Sequence, residues 1–145
     1  EQHGVEYYFF SPEELKAGIE RGDFLEHEEV YPGRYYGTLR SEVDRRIAAG
    51  DRVIFDVDCV GGLNIKKGYG REALSIFIEP PSIEELRRRL VGRSTDSAEV
   101  IEERVAKAAH ELTYAPLFDR VLTNDDLERC YGEFYSIVSA FLSED

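Results

Sequence analysis

Three stretches of this 145-residue chain carry side chains whose types and spacing could do chemistry. The first, Asp56-Val57-Asp58-Cys59-Val60-Gly61-Gly62, closes the apolar run Val53-Ile54-Phe55-Asp56-Val57. Alternation along a strand puts Asp56 and Asp58 on one side, and two glycines after them allow close backbone approach. Such an acid pair can hold a metal ion through water or accept hydrogen bonds from a ligand. It also fits a solvated strand end followed by a Gly turn. The second stretch, Leu86 to Asp96, holds Arg87, Arg88, Arg89 and Arg93, with Arg104 beyond it. Guanidinium groups are always charged and fork-shaped, which suits phosphate. Arg89 and Arg93 are four apart and share a face if the helix runs that far. The alternative is ion pairing with Glu84, Glu85, Glu102 and Glu103 on solvated helices, and it suits Arg87 and Arg88 best. The third stretch, Phe24 to Thr38, sets Glu26, Glu28, Glu29 and Tyr31, Tyr35, Tyr36 around Pro32-Gly33. A Tyr hydroxyl can donate to phosphate, and one carboxylate can accept two N–H bonds from a base edge.

The elements that must position these residues alternate between strand and helix. Tyr7 to Phe10 reads as a short strand. Ser11-Pro12-Glu13-Glu14 opens a helix with a capping box and Pro at its first position, and Gly22 ends it. Phe24 to Tyr36 reads as short strands or a β-ribbon, and a helix follows over roughly Leu39 to Ala49. Val53 to Val57 and Leu74 to Ile78 have the continuous apolar character of buried parallel strands. Ser82 opens a helix to about Leu90, Ser97 caps another to about Leu112, and Val121 to Thr123 is a third strand. Asn124 or Asp125 then caps a last helix whose Leu127, Tyr131, Phe134, Val138 and Phe141 follow helical spacing. Gly92 and the Ser/Thr/Asp run after it suggest a mobile cover over the strand ends. The alternation gives an α/β chain with a parallel sheet, in which ligands bind beyond the carboxyl ends of the strands.

Composition narrows the classes further. Eighteen Lys and Arg stand against 30 Asp and Glu, a formal net charge of −12. That balance argues against non-specific nucleic-acid binding, which needs a basic face. An anionic small ligand remains compatible with it where basic residues cluster. Hydrophobic residues at 42% suffice for a packed core, and no run approaches the ~20 apolar residues of a membrane span. Cys59 and Cys130 make neither a zinc spacing nor a disulfide framework, which suits the cytoplasm. The chain contains no Met, so Glu1 reads as a processed or trimmed start.

Taken together, these residues resemble the guanylate kinase family. The resemblance is carried by Gly4-Val5-Glu6-Tyr7-Tyr8-Phe9, Gly22-Asp23-Phe24-Leu25-Glu26 and Arg34-Tyr35-Tyr36-Gly37-Thr38. It continues through Ile54-Phe55-Asp56-Val57-Asp58, Gly61-Gly62, Ile78-Glu79-Pro80-Pro81-Ser82 and Leu90-Val91-Gly92-Arg93-Ser94-Thr95-Asp96. Arg104, Glu111-Leu112 and Val121-Leu122-Thr123-Asn124-Asp125-Asp126-Leu127 complete it, in the family's order from end to end.

The resemblance implies the fold of P-loop nucleoside monophosphate kinases, a parallel sheet with helices on both faces. It implies one domain with residues 1–38 as a GMP-binding lobe, 86–104 as a lid region, and 39–85 and 105–145 as core. The implied reaction moves the γ-phosphate of ATP to GMP, with Mg²⁺ accompanying ATP. Glu26 would accept the paired N–H donors of guanine, and Thr38 would offer its hydroxyl to the guanine oxygen. Tyr7 and Tyr36 would hold the GMP phosphate. Asp58 would help hold the guanine side, and Asp56 would stand near magnesium through water. Arg89, Arg93 and Arg104 would close over the phosphates, with Arg93 and Asn124 also on the ATP side. GMP and ATP are the implied partners, with neither nucleic acid nor membrane.

One family feature does not occur in these residues. No G-x-x-x-x-G-K-[ST] loop is present; in the family it lies upstream of the part matched, with two GMP-phosphate arginines and a guanine-contacting Ser. The resemblance therefore implies an N-terminally truncated domain lacking the first strand–loop–helix. Such a chain should be a poor kinase alone, and marginal in stability or self-associating through the exposed sheet. Two readings follow. The parent protein is a guanylate kinase, or the chain is a non-catalytic GMP-binding or protein-interaction module of the same fold. Glu26, Tyr36, Thr38, Asp58, Arg93 and Arg104 favour the first, because a module released from catalysis has less use for lid arginines.

Overall fold

A computed structural model describes residues 8–93 and 95–144, which fall into one unit ending at Gly68 and another beginning at Tyr69. The first unit opens with α1 (Pro12–Arg21). Ser11 Oγ accepts from the Glu14 N–H at 3.1 Å, and Glu14 Oε2 accepts from the Ser11 N–H at 2.8 Å, completing the expected capping box. Gly22, at φ 76°, ends the helix in the left-handed region that glycine enters without steric cost.

Strands β1 (Phe24–Tyr31) and β2 (Arg34–Leu39) then form an antiparallel hairpin. The Gly33 N–H in its turn donates to Glu29 Oε1 at 2.8 Å. The register pairs Glu26 with Thr38 and Glu28 with Tyr36, with irregularities next to Phe24 and Tyr31. Helices α2 (Arg40–Ala48) and α3 (Cys59–Tyr69) follow, and Leu25, Val43 and Ile65 are buried in this unit.

Three expectations change in this unit. Tyr8 to Phe10 is not a strand, and Tyr7 lies outside the described residues. Val53 to Val57 has no ladder partner among the described residues either, and Ile54 is 75% exposed. An apolar run becomes a strand only when its N–H and C=O groups find a neighbouring ladder. Gly61-Gly62 is not a turn but part of α3. Asp58 caps this helix, its Oδ1 accepting from the Gly61 N–H at 2.6 Å and its carbonyl from the Gly62 N–H at 2.9 Å. A good cap outweighs the poor helix propensity of two glycines.

In the second unit, β3 (Ile76–Glu79) and β4 (Arg120–Thr123) pair in parallel, Ile76 against Arg120 through Glu79 against Thr123. Parallel neighbours need a crossover, and α4 (Ile83–Arg93) and α5 (Ala98–Glu111) supply it. The start of the ladder is fastened by side chains. Asp119 Oδ2 accepts from the N–H and hydroxyl of buried Ser75, and Ser75 Oγ accepts from the Asp119 N–H, all within 2.9–3.0 Å.

Ser82 Oγ accepts from the Glu85 N–H and Ser97 Oγ from the Val100 N–H, as their positions suggested. The α4 helix continues past Leu90 through Gly92 to Arg93, so Gly92 is helical rather than the start of a loose cover. The last helix, α6 (Leu127–Ser143), is capped by Asp126, not by Asn124 or Asp125. Asp125 instead accepts from the Asp126 N–H and pairs with Arg129. The inward stripe of α6 is Cys130, Phe134, Val138 and Phe141, while Leu127 and Tyr131 are 73% and 69% exposed. Ile101, Val105, Leu122 and Cys130 are buried in this unit. No described helix is long and apolar enough to cross a membrane.

Candidate functional site

Hairpin geometry builds the first site. Because β1 and β2 pair Glu26 with Thr38, the two side chains leave the same face of the ribbon. Thr38 Oγ1 donates to Glu26 Oε1 at 2.6 Å, and both residues are half-buried. They line a cavity of about 800 Å³, within the first unit, together with Tyr36, Asp56 and Asp58. Four of the residues singled out from the sequence for the base and its surroundings thus meet Asp56 in one space. Half-burial makes a carboxylate there a discriminating acceptor, since a partner lacking N–H donors leaves it unsatisfied.

Glycine makes this close packing feasible at two points. A Cβ on Gly37 would stand 2.8 Å from Phe24 Cδ1 and 2.9 Å from the Glu26 carbonyl oxygen. A Cβ on Gly61 would stand 3.0 Å from Asp58 Oδ1 and 3.4 Å from Glu26 Cβ. Capping leaves Asp58 anchored at the start of α3, with its carboxylate beside the strand that carries Glu26.

Tyr8 and Glu42 also line the cavity and were not singled out from the sequence. The Tyr8 hydroxyl donates to Glu42 Oε2 at 3.3 Å, and Arg45 and Arg46 bond the same carboxylate. The Arg45 guanidinium holds the Glu42 carboxyl down at about 2. A signal was available: Glu42, Arg45 and Arg46 have the i,i+3 and i,i+4 spacing of helical ion pairs.

The second unit gathers residues at the carboxyl ends of β3 and β4. Arg89, Arg93 and Asn124 line a cavity of about 220 Å³ with Glu79 and Pro80. Arg89 Nη1 donates to the Asn124 carbonyl at 2.9 Å and its Nε to Glu85 Oε1 at 3.0 Å. Arg93 is exposed at the end of α4. Arg104, on α5, pairs with Asp96 at 3.0 Å and is not among the residues lining this cavity. Arg87 joins α4 to α5 through Glu102, and Arg88 pairs with Glu85, so these two follow the ion-pair alternative.

Glu85 is the hub of the Arg89 arrangement, and its titration reports on that arrangement. The Arg88 guanidinium first, then Arg89, holds its carboxyl at about 2 against an ordinary 4.5. A lowered folded value means that the link is complete above the ordinary value and lost as pH falls through about 2. A carboxyl NMR titration should find Glu85 still ionised at about pH 3.5. A midpoint at its ordinary value would show that the pair does not hold Arg89.

Comparison with known proteins finds similarity over nearly the whole chain. The family model described as guanylate kinase matches residues 1–141. A guanylate kinase of Bacteroides thetaiotaomicron is 57% identical over 145 residues, covering 100% of this chain and 71% of that protein. One from Porphyromonas gingivalis is 54% identical over 99% of this chain and 77% of its own length. Among solved structures, the crystal structure of guanylate kinase from Anaplasma phagocytophilum matches with a TM-score of 0.70 and 31% identity. That match covers 97% of this chain and 67% of the other.

Proposed function

The chain belongs to the guanylate kinase family, and we infer that it serves transfer of the γ-phosphate of ATP to GMP, giving ADP and GDP. The observation that carries the guanine side of this reading is the Glu26–Thr38 pair, fixed by ladder register inside the first unit's cavity. Guanine offers ring N–H and exocyclic NH₂ donors side by side, and a half-buried carboxylate accepts both. Thr38 supplies the hydroxyl for the neighbouring oxygen, Asp58 supports the guanine side from the α3 cap, and Tyr36 and Tyr7 take the phosphate. Arg89, Arg93 and Arg104 neutralise the phosphates in transfer, with Asn124 beside the adenine; residues 86–104 act as the lid over them. Phosphoryl transfer needs alignment and charge neutralisation more than covalent chemistry.

Mg²⁺ fits the same reading. Among the described residues no group of three or more His, Cys, Asp or Glu could hold a metal. An ion that keeps its waters and rides on nucleotide phosphates needs only one or two carboxylates. Asp56, exposed beside Asp58, can supply one. When bound, the ion offsets negative charge on the phosphates.

These 145 residues contain no Gly-rich loop ending in Gly-Lys-Ser/Thr to cradle ATP phosphates. Given ATP, Mg²⁺ and GMP in a coupled assay, this chain alone should show no turnover above the blank, while a GMP titration should saturate. Turnover in the range of about 1–100 s⁻¹ typical of kinases would overturn the role given to that loop. Failure of GMP to bind would overturn the assignment of the cavity.

A further inference from the structure

Of the five carboxylates lining the cavity among the described residues, three are already committed. Glu26 accepts from Thr38, Asp58 caps α3, and Glu42 is bonded by Arg45 and Arg46. Glu28 and Asp56 make no side-chain hydrogen bond or ion pair among the described residues. Asp56 belongs to the segment before α3, whereas Glu28 belongs to the ladder that carries Glu26 and Thr38.

Register fixes where Glu28 stands. It is two residues on from Glu26 in β1 and directly opposite Tyr36, as Glu26 is opposite Thr38. Alternation places these four side chains on one face, in two rungs about 6–7 Å apart. The first rung takes the base, and Tyr36 in the second takes the phosphate. The sugar joins base to phosphate and so passes over the second rung. A Tyr hydroxyl stands beyond a whole ring, while a Glu carboxylate ends closer to the strand. Glu28 is therefore level with the middle of the nucleotide. The vicinal hydroxyls of ribose are donors there, and a carboxylate offers two oxygens that only accept. Dinucleotide-binding folds use an acidic side chain on ribose in the same way.

We propose that Glu28 accepts hydrogen bonds from the ribose hydroxyls of GMP and so favours the ribonucleotide over its 2′-deoxy counterpart. This rests on the guanine reading of Glu26 and adds a sugar contact to it. Glu28 is exposed, so water partly replaces a lost bond. The preference is then about tenfold, far below the roughly 10⁴-fold of a fully enclosed hydroxyl site.

The test is a calorimetric titration of the wild-type chain, Glu28→Ala and Glu28→Gln with GMP, 2′-deoxy-GMP and AMP. Wild-type chain should bind GMP about tenfold more tightly than 2′-deoxy-GMP. In Glu28→Ala the two should bind alike, and Glu28→Gln, which keeps one accepting oxygen without the charge, should lie between. Both ligands carry the same phosphate, so their ratio is insensitive to the loss of a negative charge beside it. A ratio near one in the wild-type chain would overturn the proposal. So would a wild-type ratio that persists in Glu28→Ala, even with both affinities changed, because Glu28 would then act only through its charge or on the hairpin. Failure of the guanine reading shows separately, as wild-type chain that binds GMP no better than AMP. The contrast between GMP and 2′-deoxy-GMP still reports on Glu28 in that case, and absence of all binding overturns both.

Discussion

Replacing Glu26 by Gln should weaken GMP binding about a hundredfold, from the loss of hydrogen bonds to a charged acceptor worth about 1.5–3 kcal/mol each, and leave AMP binding unchanged. The carboxylate accepts only, whereas the amide of Gln turns an NH₂ toward one of guanine's own N–H donors. The half-buried position leaves little water to compensate. Adenine offers no such pair of donors on the corresponding edge, so AMP gains nothing from Glu26 and loses nothing with it. The size of the site and the fold of the hairpin are both retained in Glu26→Gln. A similar loss for GMP and AMP, measured by calorimetry, would mean that Glu26 supports the cavity wall without reading the base.

The second large effect is structural and reaches function through the same residue. Gly37→Ala places a methyl group 2.9 Å from the Glu26 carbonyl oxygen and 2.8 Å from the Phe24 ring. The ring can turn, but the carbonyl belongs to the ladder and cannot step aside without shifting β1. Overpacking of this kind costs about 1–3 kcal/mol. The substitution should accelerate hydrogen exchange through β1 and β2, and weaken GMP because Glu26 and Thr38 no longer stand in register. Gly92→Ala is the control: an added Cβ there has nothing within 4 Å, and the position is inside α4. It should be neutral or stabilise by about 0.5–1 kcal/mol through helix propensity. If Gly37→Ala behaves like Gly92→Ala, the close hairpin packing is not what holds Glu26.

Local chemistry was the most legible part of the chain. Ser11, Ser82 and Ser97 each cap the helix their context announced, because a cap depends on residues within one turn. The hairpin was legible for a similar reason, with Pro32-Gly33 between two aromatic, β-branched arms. The run Val53 to Val57 was misread because its apolar pattern states a preference for burial, and strand character also requires a partner ladder that no local pattern specifies. The α3 helix was hidden by Gly61 and Gly62, and only the Asp58 cap explains why it starts where it does.

The candidate site shows the same division. Residue types alone left Asp56, Asp58 and the arginines open between ligand contacts and solvated ion pairs. The pairing of Glu26 with Thr38 depends on ladder register, and types alone do not supply register. The family resemblance pointed to both residues, and the hairpin then put one against the other. Arg87 and Arg88 proved to be ion-paired between or along helices, while Arg89 is turned toward Asn124.

Acceptance of guanine's N–H donors by Glu26 is reported most directly by the protons of bound GMP. In a titration of the chain with ¹⁵N-labelled GMP, the N1 imino proton should move downfield and exchange slowly with water. In Glu26→Gln, at concentrations high enough to saturate, that protection should be lost. An imino proton that exchanges as fast in the wild-type complex as in free GMP would contradict the claim.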